Sequence, residues 1–394
     1  MQLFTEYPEN KERQYYEKVT AVTRKRMDAL YGDTDKALRD THAKTQAAVK
    51  ASLEIFDFDE DPIKQAIAQR TPFSLEQLQG VSLKQGVFAQ SKTYPVWLRF
   101  ANGRTTVEQD YDPDTRSMSV KIIGVEGDRL AQSHEQHTQD LIVQNAEIFF
   151  IESIRSYYGF FSSVASGIKL FPILWLITHP KQKKALETIT KSRTPKSLLT
   201  EKYWSGSASA LGLPANFDPS KPGVDPVTYP LVVKYGFIPV SPQAPHTPLA
   251  DEARSPSALE KAKAAGQNGT PDNYYRTEMS QALAQPDAEY CWDFQIQIQT
   301  KPSQSIDNVT VVWPESEAPF FTVGRLTVKS QTIDNSAKLD FAENLQFSPW
   351  NGLTVHRPVG ALNRLRSLVY PLVGNYRHKS RGVDYHEPTG NETF

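Results

Sequence analysis

Apolar residues recur along the chain in two rhythms. Between residues 10 and 31 the sequence is highly charged, and Tyr15, Val19, Val22, Met27, Leu30 and Tyr31 recur at near-helical spacing. That spacing predicts an amphipathic helix, read as an N-terminal arm over 1–35. From about residue 46, short β-rich runs take over: 47–56, 95–101 (PVWLRFA), 117–125 (SMSVKIIGV), 140–143 and 148–151. A helical region is predicted over roughly 153–203, and strand signals return at 229–240. A loop rich in Pro and Ala at 241–257 is followed by helical patterns at 256–266 and 273–284. Next comes a clean period-2 strand at 292–299 (WDFQIQIQ), then runs at 309–313 and 320–328, and a last helix near 359–372. Short strands at close spacing indicate an antiparallel sheet or barrel. The whole order predicts one α+β domain on a closed or nearly closed antiparallel sheet, with helices inserted and appended.

Composition narrows the function. The 394 residues allow two or three domains or one large one. Lys and Arg number 44 against 45 Asp and Glu, a net charge of −1 that argues against a generic nucleic-acid binder. The single cysteine, Cys291, excludes an intrachain disulfide, a cysteine zinc site and an iron–sulfur cluster. Residues 1–13 are charged and lack an apolar core, so no secretory signal is visible and a cytoplasmic protein is expected. The three N-x-[ST] triplets, at Asn268, Asn308 and Asn391, are read as accidental. The stretch 157–178 (YYGFFSSVASGIKLFPILWLIT) approaches the roughly 20 residues a membrane span needs. It also contains Gly159, Gly167, Lys169, Pro172 and several serines. We read it as buried or interfacial helices broken near Pro172, and as the candidate for membrane or lipid contact.

Local motifs give little. Ser133, His134, Glu135, Gln136 and His137 resemble a zinc-protease motif, but that motif needs histidines four apart on one helical face, and here they are three apart. No phosphate-binding glycine loop, nucleophile elbow or dinucleotide fingerprint follows a predicted strand. The arginines near 364–381 read by default as a solvated helix face.

Four separated segments become informative together. They are RDTHAK at 39–44; WLRFANG at 97–103 with PDTRSMSVK at 113–121; QNAEIFFI at 144–151; and NRLRSLVY at 363–370, followed by Arg377. In this order and at these spacings they resemble the haem-containing catalases and their small catalase-related branch, over roughly residues 36–380. That family carries R-x-x-H-A-[RK], then R-F with D-x-R-x-x-x-V-K, then N-N-x-P-[IV]-F-F-I, and near the end R-x-x-x-Y with another arginine seven residues on. FSPWN at 347–351 and HRPVG at 356–360 also look like the small branch.

The resemblance implies a catalase-like barrel holding haem b, with 381–394 as a C-terminal tail. His42 falls on the distal base and Tyr370 on the axial iron ligand, with Arg366 as its partner. Arg39, Arg99 and Arg377 fall on the arginines that hold the propionates. The distal amide falls on Gln144 or Asn145, since the family's catalytic asparagine aligns with Gln144. Thr41, directly before the histidine, stands where hydrogen-peroxide-dismuting catalases typically carry valine and the allene oxide synthase branch carries threonine. Ala101 stands where a serine is expected.

The chemistry agrees with these positions. A free phenol has a pKa of about 10, and bound iron together with an arginine one helical turn away favours the phenolate. Tyrosine is a recognised catalase-type haem ligand. Buried propionates need paired cations. A neutral histidine can take the peroxide proton and return it to the leaving oxygen. The substrate expected is a peroxide, either an organic or lipid hydroperoxide or H2O2. The alternatives are a small true catalase or peroxidase for H2O2 detoxification, and a non-enzymatic haem-binding protein.

Overall fold

Period-2 burial closes the molecule on itself. In strand β10 (Glu289–Ile298), Tyr290, Trp292, Phe294, Ile296 and Ile298 are buried at alternate positions, as a strand with one face in a core requires. The computed structural model describes residues 2–9, 11–168, 170–190, 195–214, 217, 225–240 and 273–394. Its barrel runs β10, β11 (Phe320–Lys329), β2 (Thr45–Ile55), β3 (Lys92–Asn102), β4 (Arg116–Ile123), β5 (Thr138–Gln144), β6 (Tyr203–Trp204) and β9 (Leu231–Pro239). All eight pairings are antiparallel, and β9 closes the ring on β10 with Phe237 opposite Phe294. Closure removes the unpaired edges an open sheet would leave. Strand β7 (Ser209–Leu211) extends β9 outside the ring, and β1 (Thr5–Glu6) pairs with β8 (Val227–Thr228).

Alternation also sorts the barrel's two faces. Leu98, Phe100, Met118, Val120, Leu141 and Val143 fill the main core. Arg99, Ser117, Ser119, Ile142 and Gln144 alternate with them, so they face outward. Helix α8 (Ser336–Asn344) packs on β2, while α4 (Ile154–Ala165), α6 (Pro180–Thr190) and α9 (Ala361–Arg381) stand opposite the outer face of β3–β5, with α1 (Arg13–Tyr31) behind them. Gly360 precedes α9 with φ +91, and a Cβ there would lie 2.3 Å from the Ile306 carbonyl oxygen, so only glycine fits this entry. Helix α1 packs against α4 and α9.

Several elements differ from the sequence reading. Residues 148–151 and 309–313 form no strand; the Phe149 amide donates to the Val309 carbonyl at 3.0 Å, tying two irregular segments together. The apolar stretch breaks after α4 at Gly167 (φ +73), and Pro172 lies in the first turn of α5 (Leu170–Thr178). A proline is tolerated there because its missing N–H would have no intrahelical partner. Helix α9 continues through Pro371 to Arg381, nine residues past the predicted end. Helices α2 (Glu60–Ala68), α3 (Leu75–Gln79) and α8 form where the sequence pattern predicts no element. The pattern at 273–284 is helix α7 (Tyr274–Leu283). The predicted 256–266 helix and 241–257 loop lie outside the described residues. The arginines at 364 and 377 are buried rather than solvated.

One buried group makes the fold pH-dependent. His356 Nε2 accepts a hydrogen bond from the Val87 amide at 2.9 Å, and its ring meets Phe88 edge-on. Burial holds its pKa down at about 4, against the backbone of Gln85. The unfolded chain therefore binds more protons between pH 6.5 and that value, and stability falls as pH drops through the window. His356 alone should cost on the order of 3 kcal/mol across it. Thermal denaturation from pH 7 to 4 should show this fall, and His356→Gln should make it shallower, leaving the share of other buried groups such as His42; an equally steep profile in the variant would assign the loss elsewhere.

Candidate active site

A cavity of about 480 Å³ lies between the outward face of β3–β5 and helices α4, α6 and α9. Its lining includes Arg39, Thr41, His42, Arg99, Gln144, Arg366, Tyr370 and Arg377. The fold thus brings together eight of the nine sequence-predicted residues, from positions up to 338 apart. Asn145 is the exception. Its Oδ1 accepts from the Arg116 amide at 2.7 Å, and its Nδ2 donates to Glu201 Oε2 at 3.1 Å. Alternation explains the difference: Gln144 ends β5 facing outward, so the next residue turns away. The Asn145 assignment as a distal amide is therefore corrected to a buried structural one.

Three guanidiniums converge at one end. Arg39 pairs with Glu343 at 2.9 Å and donates to the carbonyls of Ala342 and Leu345. Arg377 also donates to the Leu345 carbonyl, at 2.9 Å. Arg99 donates to Thr45 Oγ1 and to the His42 carbonyl. Burial lowers the pKa of all three, and neighbouring guanidiniums lower it further: Arg381 acts on Arg39, Arg39 on Arg99, and Arg39, Arg99 and Arg381 on Arg377; Arg99 falls to about 9. Glu343 is the carboxylate that opposes this, and it bonds Thr45 Oγ1 as well. Three cations and one anion leave a surplus of two positive charges. Such a surplus is costly in a buried site unless a guest supplies the counter-charge.

His42 precedes β2 in the left-handed region, φ +57, which is uncommon for a residue with a side chain. Its amide donates to the Gly103 carbonyl at 3.3 Å, and Arg99 holds its own carbonyl. Its Nδ1 is buried and finds no hydrogen-bond partner among the described residues. Burial, then the charge of Arg99, pushes its pKa down to about 3, with the Asn102 backbone opposing. The ring is therefore neutral. Ala101, buried in β3, offers no hydroxyl here. Gln144 Nε2 donates to the Ile148 carbonyl at 2.8 Å, which leaves a second amide hydrogen and the carbonyl oxygen unused.

Helix α9 carries Arg366, Tyr370 and Arg377. Residues four apart on a helix are neighbours, so Arg366 and Tyr370 share a face, with Arg377 about two turns further on. Arg366 Nη1 donates to Ser207 Oγ at 3.1 Å and to Asn363 Oδ1 at 3.2 Å. Asn363 is fixed in turn by the Ala208 and Val359 carbonyls. On the side of α4 and α6 the wall is largely apolar, with Phe149, Phe150, Phe160, Phe161, Leu186 and Ile189.

Two solved structures share this architecture. A fungal catalase matches with a TM-score of 0.58 at 19% identity, covering 87% of this chain and 59% of that one. A bacterial catalase matches with a TM-score of 0.57 at 17% identity, covering 91% and 62%. The fold is catalase-like. The chain spans about three-fifths of the length of these catalases. No family model and no curated protein matches it.

Within this catalase-like frame, sequence reasoning missed Glu343, Ser207 and Asn363. Asn363 lies three residues before Arg366, a helical spacing that points to it. Nothing in the sequence links Glu343 to Arg39, 304 residues away.

The two amides can be separated by stability. Asn145→Ala leaves the Arg116 amide and Glu201 unsatisfied in a buried place, which should cost about 1–3 kcal/mol. Gln144→Ala removes one half-buried bond and should cost about 1 kcal/mol or less. Chemical denaturation of both variants checks this; a larger loss for Gln144→Ala would reverse the roles.

Proposed function

We propose that the protein is a haem b enzyme that cleaves peroxides, with an organic or lipid hydroperoxide as the favoured substrate. The observation that carries the reading is the surplus of two positive charges in the cluster of Arg39, Arg99, Arg377 and Glu343, on a cavity that Tyr370 and His42 also line. Haem b brings two propionates, a tyrosine suits its ferric iron, and the donor set therefore fits the group. Arg39, Arg99 and Arg377 would hold the propionates, and Tyr370 would hold the iron. When bound, the haem would supply the iron at which the peroxide binds and which takes up the oxidising equivalents.

The chain's own residues do the rest. Arg366, one turn from Tyr370 on the same helix face, places a fixed positive charge on the wall that carries the phenol. Ser207 and Asn363 keep that guanidinium in place. His42 is neutral, so it can accept the hydroperoxide's proton and return it to the leaving oxygen, giving water or an alcohol. Once Arg39 and Arg99 are paired to carboxylates, the repulsion that lowers the His42 pKa weakens, and its basicity moves toward working pH. Gln144 has an amide hydrogen free to hold the outer peroxide oxygen. The apolar wall of α4 and α6 gives an organic chain contacts that H2O2 cannot use. Thr41 before the histidine, and Ala101 where the resemblance expects a serine, support the small catalase-related branch over a dismutating catalase.

Absorption spectra and turnover test this directly. Tyr370→Phe should abolish or strongly weaken ferric haem binding, and an unchanged Soret band would remove Tyr370 as ligand. His42→Ala should retain haem and lose about 10²-fold or more in peroxide cleavage; retained rates would mean another base. The wild type should consume a fatty-acid hydroperoxide faster than it releases oxygen from H2O2. Fast oxygen release without lipid turnover would instead identify a small true catalase. A haem spectrum with neither activity would leave a haem-binding protein.

A further inference from the structure

Helix α5 buries none of its residues. Ile168, Leu170, Phe171, Ile173, Leu174 and Ile177 are each 44–60% exposed, and they make up half of all the exposed large hydrophobic residues described. Scattered apolar residues on a surface are ordinary, but a contiguous patch of this kind marks an interaction site. We propose that α5 and the lysines of α6 form a docking surface for a lipid bilayer with anionic headgroups, set against the cavity wall.

Length and charge select this occupant. At 1.5 Å per residue, α5 is about 14 Å long, roughly half of a bilayer's hydrocarbon thickness. No described helix is long and apolar enough to cross a membrane. A short apolar helix beside cations suits the interfacial plane. Lys181, Lys183 and Lys184 are exposed on α6 directly after it. Lys183 reaches Glu187 at 3.9 Å, while Lys181 and Lys184 form no ion pair among the described residues. A bilayer with anionic lipids meets both the apolar face and these charges. A second copy would meet this patch with its own lysines, since a two-fold interface pairs a surface with itself.

The patch is continuous with the site. The Trp175 ring stacks on His179 with centroids 3.9 Å apart and meets Phe160 at 5.4 Å. Phe160 lines the cavity, as do Leu186 and Ile189 of α6. A docked bilayer would therefore lie beside the apolar wall. In this way the surface deepens the lipid reading of the substrate, yet it is tested without haem or peroxide, so either can fail alone.

The test is flotation of the full chain with vesicles of phosphatidylcholine alone, or containing about 30% phosphatidylglycerol. The wild type should float with the anionic vesicles, less so in about 0.5 M salt. Ile173→Ser with Ile177→Ser changes two exposed positions and should lower the bound fraction about tenfold or more, with an unchanged circular dichroism spectrum. Lys181→Ser with Lys184→Ser should remove most of the preference for anionic vesicles. Absence of flotation, or undiminished flotation of the isoleucine variant, would overturn the proposal. So would a dimer, seen by light scattering, that the same variant dissolves.

Discussion

A single guanidinium fixes where the longest helix lies. Arg364 reaches Glu6 at 2.6 Å, Glu12 at 2.7 Å and Asp307 at 2.8 Å, all in a largely buried setting. Glu6 also accepts from the Gly360 amide and the Tyr229 hydroxyl, so the N-terminal segment is locked to the start of α9. Removing Arg364 would leave the buried carboxylates of Glu6 and Glu12 and the half-buried one of Asp307 without their cation, the costly side of a buried ion network. Everything the helix presents to the cavity inherits its rotation and depth from this contact. Arg366 and Tyr370 follow within two turns, and Arg377 after two more.

The same helix separates charge along its length. Carboxylates gather at its N-terminal end, where the helix dipole is positive, and Arg377, Lys379 and Arg381 lie at its C-terminal end, where the dipole is negative. The end turns thus stabilise the charges beside them. Arg377 lies in the last turns, so its positive charge is favoured by its own helix even as Arg39 and Arg99 repel it. That arrangement lets cations accumulate at one end of an apolar cavity without unfolding it.

Much of this was legible in the sequence, for reasons that differ by element. The barrel strands show because half-buried strands alternate, and alternation survives in one sequence; WDFQIQIQ is the clearest case. Residues 148–151 and 309–313 misled because apolar composition reports burial, and buried irregular chain looks the same as strand. The end of α9 was placed too early because Pro371 normally stops a helix, whereas here tertiary contacts on both sides of it carry the helix on to Arg381. At the site, the segments bearing His42, Arg99 and Tyr370 stood out by order and spacing. The choice between Gln144 and Asn145 did not, because it depends on which residue ends a strand, and one residue reverses the face. Glu343 was invisible for a different reason: its meaning arises only from charges brought to it by the fold.

That last residue connects the cavity's two tasks. Glu343 bonds Thr45, Thr45 accepts from Arg99, and Arg99 donates to the His42 carbonyl. The carboxylate that partly neutralises the arginine cluster therefore also sets the backbone of the left-handed histidine. A site with more acid would hold its arginines more comfortably but would offer less to an anionic guest. A site with none would leave Thr45 and Arg99 unanchored, and with them the histidine. One carboxylate among three arginines satisfies both demands, which gives a physical reason for a charge imbalance that stability alone would not favour.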